Sequence, residues 1–283
     1  MKKTALLLTF LLTIALSFNI FSQTTGPESG KLLIIGGNAS DEIFIPLFKE
    51  LAGGDSAKII IIPTARDDES ISKDPHFDEL LKRFEKFNFK SIQVLHTRSK
   101  EEANSPEFTE PLKHATGIWF QGGRQWRLAD SYLNTLTHLE IFGVLHRNGV
   151  VAGTSAGATI QGSYLARGDT KANTIMMGDH EKGLSFIKNV AIDQHLLARN
   201  RHFDMFEIIH HKPQLLGIGL DENTGIIVNG NTFEVVGEHY VAIYDDSRWS
   251  EERDTTIRLN GAREFYFLNP GQKYNLLKRT VIQ

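Results

Sequence analysis

Gly149-Val150-Val151-Ala152-Gly153-Thr154-Ser155-Ala156-Gly157-Ala158 is the stretch from which the fold can be read. A short apolar run, Gly149 to Ala152, is followed by a turn of small residues and then by an amphipathic segment, Ala156 to Leu165. Continuous apolar runs bounded by glycine suit parallel strands buried on both faces. Gly-x-Ser-x-Gly between such a strand and a helix is a nucleophile elbow. The turn is tight and strained, so small residues must flank the serine. It lifts the Ser155 hydroxyl above the sheet edge, where free N–H groups at the helix start can stabilise an oxyanion. A small-residue turn without chemistry is the competing reading, and the strand before and the helix after weigh against it.

Outward from this stretch, the same alternation recurs. Lys31 to Ile35, ending in Gly36-Gly37-Asn38, Lys58 to Ile62, ending at Pro63, and Gly117 to Phe120, ending in Gln121-Gly122-Gly123, read as further parallel strands. Glu42 to Leu51, His76 to Phe87 and Arg127 to Leu145 carry apolar residues at helical spacing. The alternation predicts an α/β fold, a doubly wound and mostly parallel sheet with helices on both faces. Ligands of such sheets sit outside the carboxyl ends of the strands, where all the Gly-rich loops fall. From Gly217 to Asp246, short strands with turns at Asn223-Thr224-Gly225 and Asn229-Gly230-Asn231 predict hairpins that extend the sheet in antiparallel sense.

The chain of 283 residues begins with Met1-Lys2-Lys3, an apolar run from Ala5 to Phe21 and a small polar stretch from Ser22. That order is the signature of a secretory signal peptide, expected over 1–22, with a single α/β domain over 23–283. The expected protein is therefore secreted or periplasmic and has no stable membrane association after cleavage. A net charge of −3 gives no footprint for nucleic acid or an anionic membrane. The absence of cysteine excludes disulfides, thiolate metal sites and a cysteine nucleophile. No strand is followed by G-x-G-x-x-G, which argues against dinucleotide binding.

A serine nucleophile needs a base. Of eleven histidines, His195 ends the apolar run Val190-Ala191-Ile192-Asp193-Gln194, which would carry its ring to the edge where Ser155 lies. His210-His211 and Asp179-His180-Glu181 compete with it, but no zinc-ligand spacing is present, so no metal and no cofactor is expected.

Five stretches together carry a resemblance: Gly36-Gly37, Phe120-Gln121-Gly122-Gly123-Arg124-Gln125, Gly153 to Ala158, Asp193-Gln194-His195 and Gly217-Ile218-Gly219-Leu220-Asp221-Glu222. In this order the chain resembles the S51 serine peptidases, which comprise cyanophycinase and aspartyl dipeptidase (peptidase E), and the Ser155 and His195 stretches favour the cyanophycinase branch. The resemblance implies a fold like the class I glutamine amidotransferases with serine in place of cysteine. It implies a homodimer and a peptide substrate cut at aspartyl residues, with β-linked Asp-Arg units cut in the cyanophycinase branch. It further implies Ser155 as nucleophile, His195 as general base, and the backbone of Gly123 and Ala156 as oxyanion donors. Gln125, Asp193, Gln194, Arg199 and Arg201 would line the substrate pocket. The triad acid falls between serine and histidine in the family, which points to Asp169, while Asp179, Glu181 and Glu222 stay open as candidates. One departure stands out: where cyanophycinases carry a third arginine, this chain has His202-Phe203-Asp204. The resulting expectation is an exported serine exopeptidase of cyanophycinase type. An α-aspartyl dipeptidase and a catalytically inactive peptide-binding protein are the competing readings.

Overall fold

The computed structural model describes residues 23–245 and 265–283. The expected signal peptide, 1–22, lies outside the described residues. Thirteen strands are described: β1 (Lys31–Ile35), β2 (Lys58–Ile62), β3 (Ser91–Val94), β4 (Gly117–Phe120), β5 (Val150–Thr154), β6 (Val190–Gln194), β7 (Leu216–Leu220), β8 (Thr224–Asn229), β9 (Thr232–Gly237), β10 (Val241–Tyr244), β11 (Phe265–Leu268), β12 (Lys273–Asn275) and β13 (Thr280–Ile282). Nine form one sheet in the order β13-β12-β9-β8-β1-β5-β4-β2-β3. Strands β1, β5, β4, β2 and β3 run parallel, and β8, β9, β12 and β13 extend that half in antiparallel sense.

The central parallel strands β1, β2, β4 and β5 are almost wholly apolar because both of their faces are covered, whereas β3, at the edge, exposes Ser91 and Gln93. Leu32, Ile34, Ile60 and Ile62 point into one core, and Leu33, Ile35, Ile59 and Ile61 into the other. Helices α1 (Asp41–Leu51), α2 (Asp68–Lys73) and α3 (Asp78–Glu85) follow the first two strands. Phe48 of α1 and Phe84 of α3 meet Trp119 of β4 edge-on, at centroid distances of 5.2 and 5.4 Å. Helices α4 (Pro106–Thr109), α5 (Gln125–Tyr132) and α6 (Leu136–His146) come next along the chain. Ile141, Val144 and Leu145 of α6 and Leu128 of α5 join the opposite core.

Three expectations are corrected. The single helix expected from Arg127 to Leu145 is two, because Asn134 takes a left-handed conformation and Thr135 caps the N–H of His138 to start α6. The helix after Ser155 is only α7 (Ala156–Thr159), since the following backbone turns onto β6, with Ser163 and Tyr164 N–H both donating to the Val190 carbonyl. The Asn229–Asn231 turn does join a hairpin, β8 to β9, but the Asn223 turn does not. There the chain crosses from a second sheet, of order β11-β10-β7-β6, into the first. One face of this smaller sheet joins the main core through Val190, Ile192 and Ile218. Its other face is covered by α8 (Met205–His211), through Met205, Ile208 and Ile209 against Ala242 and Tyr244.

Candidate active site

Ser155 sits between β5 and α7 at φ 56° and ψ −115°, a backbone conformation that non-glycine residues seldom adopt. The flanking glycines are sterically required. A methyl group at Gly153 would lie 2.1 Å from the Gly157 carbonyl oxygen, and one at Gly157 would lie 2.4 Å from that of Phe120. The Ser155 N–H is anchored to the Ile35 carbonyl at 2.9 Å, so β1 also holds the turn.

His195, at the end of β6, is the one histidine brought to Ser155: the hydroxyl oxygen lies 2.9 Å from Nε2. His195 also has positive φ (53°), and its N–H donates to the Gly36 carbonyl at 2.9 Å. Gly37, at φ 129°, passes against the imidazole, where any Cβ would come within 2.2 Å of the ring. The Gly36-Gly37 pair after β1 is thus a clamp for the histidine. Asp221 fixes the turn that follows, its carboxylate accepting the Leu197 and Ala198 N–H groups at 3.0 Å each.

The acid beside the histidine is Glu222, whose Oε1 lies 2.6 Å from Nδ1. Its other oxygen accepts from Asn38 Nδ2 at 3.1 Å. The expectation of Asp169 at this place does not hold: its carboxylate accepts the N–H groups of Lys171 and Ala172 and closes its own turn. Two further carboxylates are engaged away from His195, Asp179 with Thr170 and His180, and Glu181 with Tyr164 and Lys212. Glu222 arrives from the crossing between the two sheets, after the histidine in sequence.

Burial holds the His195 imidazolium below the ordinary histidine range, and the charges of Arg199 and Arg201 act in the same sense against the Glu222 hydrogen bond. The ring is therefore neutral at neutral pH, as a proton acceptor must be. Burial opposes ionisation of Glu222, but the hydrogen bonds from His195 and Asn38 outweigh it and hold the carboxyl below its usual value.

Two backbone segments border Ser155. The Ala156 N–H opens α7. Gly122 lies so close that a Cβ there would be 3.7 Å from the serine oxygen, and Gly123, at φ 143°, turns the loop back toward Ala65. Among the described residues, the N–H groups of Gly123 and Ala156 have no backbone acceptor. This pairing of serine, imidazole, carboxylate and two free N–H groups can run nucleophilic acyl transfer.

The expected pocket residues divide. Arg199 is exposed on the turn after His195. Gln125 is buried, and its amide donates to the Ala166 and Arg167 carbonyls at 2.7 and 2.8 Å, which makes it a brace. Gln194 and Arg201 are buried and bonded to each other, from Nη1 to both oxygens of Gln194 at 3.1 Å. Asp193 is fully buried and bound in two-point fashion by Arg167, from Nε at 2.7 Å and Nη2 at 2.8 Å. Arg167 Nη2 also reaches Asp204 at 2.6 Å. Asp193 is therefore already neutralised from within, by a partner that no nearby spacing in the sequence reveals.

The family model for peptidase family S51 matches residues 32–236 of this chain. The chain is 29% identical over 275 residues to a cyanophycinase of Trichormus variabilis (strain ATCC 29413 / PCC 7937), with 90% of this chain and 89% of that protein covered. It is 29% identical over 258 residues to a cyanophycinase of Geminocystis herdmanii (strain PCC 6308), covering 86% and 93%. Among solved structures, a peptidase from an acI-B1 Actinobacterium superposes with a TM-score of 0.61 at 23% identity, covering 87% of this chain and 97% of that one, a likeness of fold.

Proposed function

The chain belongs to peptidase family S51 and is a serine-type peptidase, and from that premise we propose that it is an exported exopeptidase of cyanophycinase type, cutting β-aspartyl-arginine or related aspartyl peptides through an acyl-enzyme. The observation that carries the reading is the relay of Ser155, His195 and Glu222, joined at 2.9 and 2.6 Å on a strained elbow.

In the proposed reaction, Ser155 Oγ attacks the scissile carbonyl and His195 Nε2 takes its proton. Glu222 holds the Nδ1 proton, fixes the tautomer and stabilises the imidazolium that forms. The N–H groups of Gly123 and Ala156 receive the oxyanion. His195 then passes its proton to the leaving amine, and water, activated by the same imidazole, releases the acyl group. The intact relay favours turnover over the catalytically inactive reading. Export rests on the sequence of residues 1–22, and the homodimer rests on the resemblance alone.

Arg167 already occupies Asp193 and Asp204, so recognition of a substrate guanidinium is not assigned to those two carboxylates. For this reason the reading includes aspartyl peptides beyond the β-Asp-Arg unit. A panel of α- and β-aspartyl dipeptides and longer β-Asp-Arg polymer tests it. Release of products from β-linked substrates, including the polymer, is expected. Turnover confined to α-aspartyl dipeptides would favour the dipeptidase reading, and no turnover of any member would refute the proposal.

A further inference from the structure

The turn after β2 carries a buried hydroxyl network that the relay does not use. Thr64 lies in this turn, which the Arg66 N–H closes by donating to the Pro63 carbonyl at 2.9 Å. Tyr132 is the last residue of α5, and both side chains are fully buried. The phenol oxygen lies 2.6 Å from Thr64 Oγ1, which lies 2.8 Å from His96 Nδ1. The Thr97 N–H donates to the phenol oxygen at 3.3 Å.

These contacts fix the direction of each hydrogen. The phenol has one hydrogen to give, and among the described residues its acceptor is Thr64 Oγ1. The Thr64 hydroxyl then gives its own hydrogen to His96 Nδ1, which must be unprotonated to accept it. Burial favours both requirements. It pushes Tyr132 up to about 12, so the phenol keeps its proton. Burial and the charge of Arg98 outweigh Glu102 and Asp68 and hold the His96 imidazolium below the ordinary histidine range. The net contribution of such a network to folding is modest, but a fully satisfied one holds its members in one arrangement.

The turn held in this way is the seat of the oxyanion loop. Strands β2 and β4 pair in parallel, and the pairing continues past their ends. The Gln121 N–H donates to the Ile62 carbonyl at 3.0 Å and the Arg124 N–H to the Ala65 carbonyl at 2.8 Å. Gly123, between these two bonds, has φ 143° and lies so close that a Cβ would be 2.0 Å from the Ala65 oxygen. Arg127 Nη1 donates to that oxygen as well, at 3.3 Å. Ala65 follows Thr64 directly, so a shift of the Thr64 turn passes to Gly123 with no slack to absorb it. Misplacing a group that stabilises the transition state by about 1 Å can cost about a hundredfold in rate.

We propose that Thr64 and Tyr132 are positioning residues for the reaction, which set the place of the Gly123 N–H through the Ala65 carbonyl. The assignment deepens the peptidase reading and rests on it for the role of Gly123 as an oxyanion donor.

Thr64→Val keeps the shape of the side chain and removes the hydroxyl, and Tyr132→Phe removes the phenol oxygen alone. For each full-length variant, phosphonylation of Ser155 by a fluorophosphonate probe is timed by intact mass. The probe places its P=O oxygen where the oxyanion forms, so it reads the hole independently of the peptide. In parallel, kcat and KM are measured on an aspartyl peptide that the unsubstituted protein cleaves. Labelling rate and kcat should both fall about ten- to a hundredfold, with KM within about twofold. The acid limb set by His195 should stay in place, because the relay is untouched. Thr64→Ser, which keeps the hydroxyl, should recover most of the loss. The double variant should lose no more than the worse single one, since both cut the same network. If a thermal melt shows that Thr64→Val does not fold, Tyr132→Phe supplies the comparison.

Labelling at the unsubstituted rate in folded Tyr132→Phe would overturn the assignment. So would a loss confined to KM, a loss that Thr64→Ser does not recover, or an acid limb that moves with the substitutions, which marks general loosening. An unsubstituted protein that is labelled at Ser155 but cleaves no aspartyl peptide would count against the proposed substrate, and the labelling rates would still decide the positioning role. Absence of labelling at Ser155 in the unsubstituted protein would refute the nucleophile and this role with it.

Discussion

Glu222 and Asp169 make opposite predictions at the scale of single residues. Glu222 holds the Nδ1 side of His195, so Glu222→Gln should lower kcat by about 10³–10⁴-fold with little change in KM, by favouring the wrong tautomer. Asp169→Asn touches only its own turn and should cost less than about tenfold, with steady-state kinetics of the two variants deciding between them. The pH profile follows from the imidazole. His195 must be neutral to accept the serine proton, and its pKa lies below the ordinary value of about 6.5, so the acid limb of kcat/KM should fall below that pH. Arg199 contributes a positive charge that disfavours the imidazolium. Its removal in Arg199→Ala should therefore raise the histidine pKa and move the acid limb to higher pH. A limb that stays put or moves down would contradict this.

At the scale of elements, two glycine-bearing turns do most of the positioning. Gly157→Ala would force a Cβ against the Phe120 carbonyl, and a loss of about 3 kcal/mol or more in urea-unfolding stability is expected, together with lost activity. Gly37→Ala would press on the His195 ring, so its activity should fall more steeply than its stability. Most of these elements are legible in the chain itself. Strands β1, β2, β4 and β5 are apolar at nearly every position and end in or just before Gly or Pro, the pattern that burial on both faces imposes. The elbow is legible because its geometry tolerates only small neighbours. The extent of the helices is not, since the break at Asn134 and the early end of α7 are set by a cap and by contact with β6. The second sheet is hidden for a related reason. Strands β6 and β7 look like members of the first sheet, and only pairing across distant segments separates them. Glu222 does not stand out in the sequence, because its place beside His195 depends on the crossing between the sheets. Arg167 carries no signal either, because its partners lie 26 and 37 residues away.

At the scale of the molecule, the relay exists only where the two sheets meet: Ser155 comes from the larger sheet, His195 from the smaller, and Glu222 from the chain between them. Both ends of the described residues are drawn into the same body. Arg279 donates to Asp245 at 2.8 Å, to Thr24 at 2.8 Å and to the Gln214 carbonyl at 2.6 Å, which ties both ends of the described chain to the rest. Arg279→Ala leaves the buried Asp245 without this cation and should lower unfolding stability by about 3 kcal/mol while leaving kcat/KM unchanged. The claim that joins fold to function is that one hydroxyl, raised at this junction, performs the chemistry. Its most direct test is kcat/KM on a β-Asp-Arg dipeptide for the Ser155 protein and for Ser155→Ala, with matched thermal melts. A loss of at least about 10⁴-fold with an unchanged melt is predicted, and turnover by Ser155→Ala at the rate of the Ser155 protein would contradict the account.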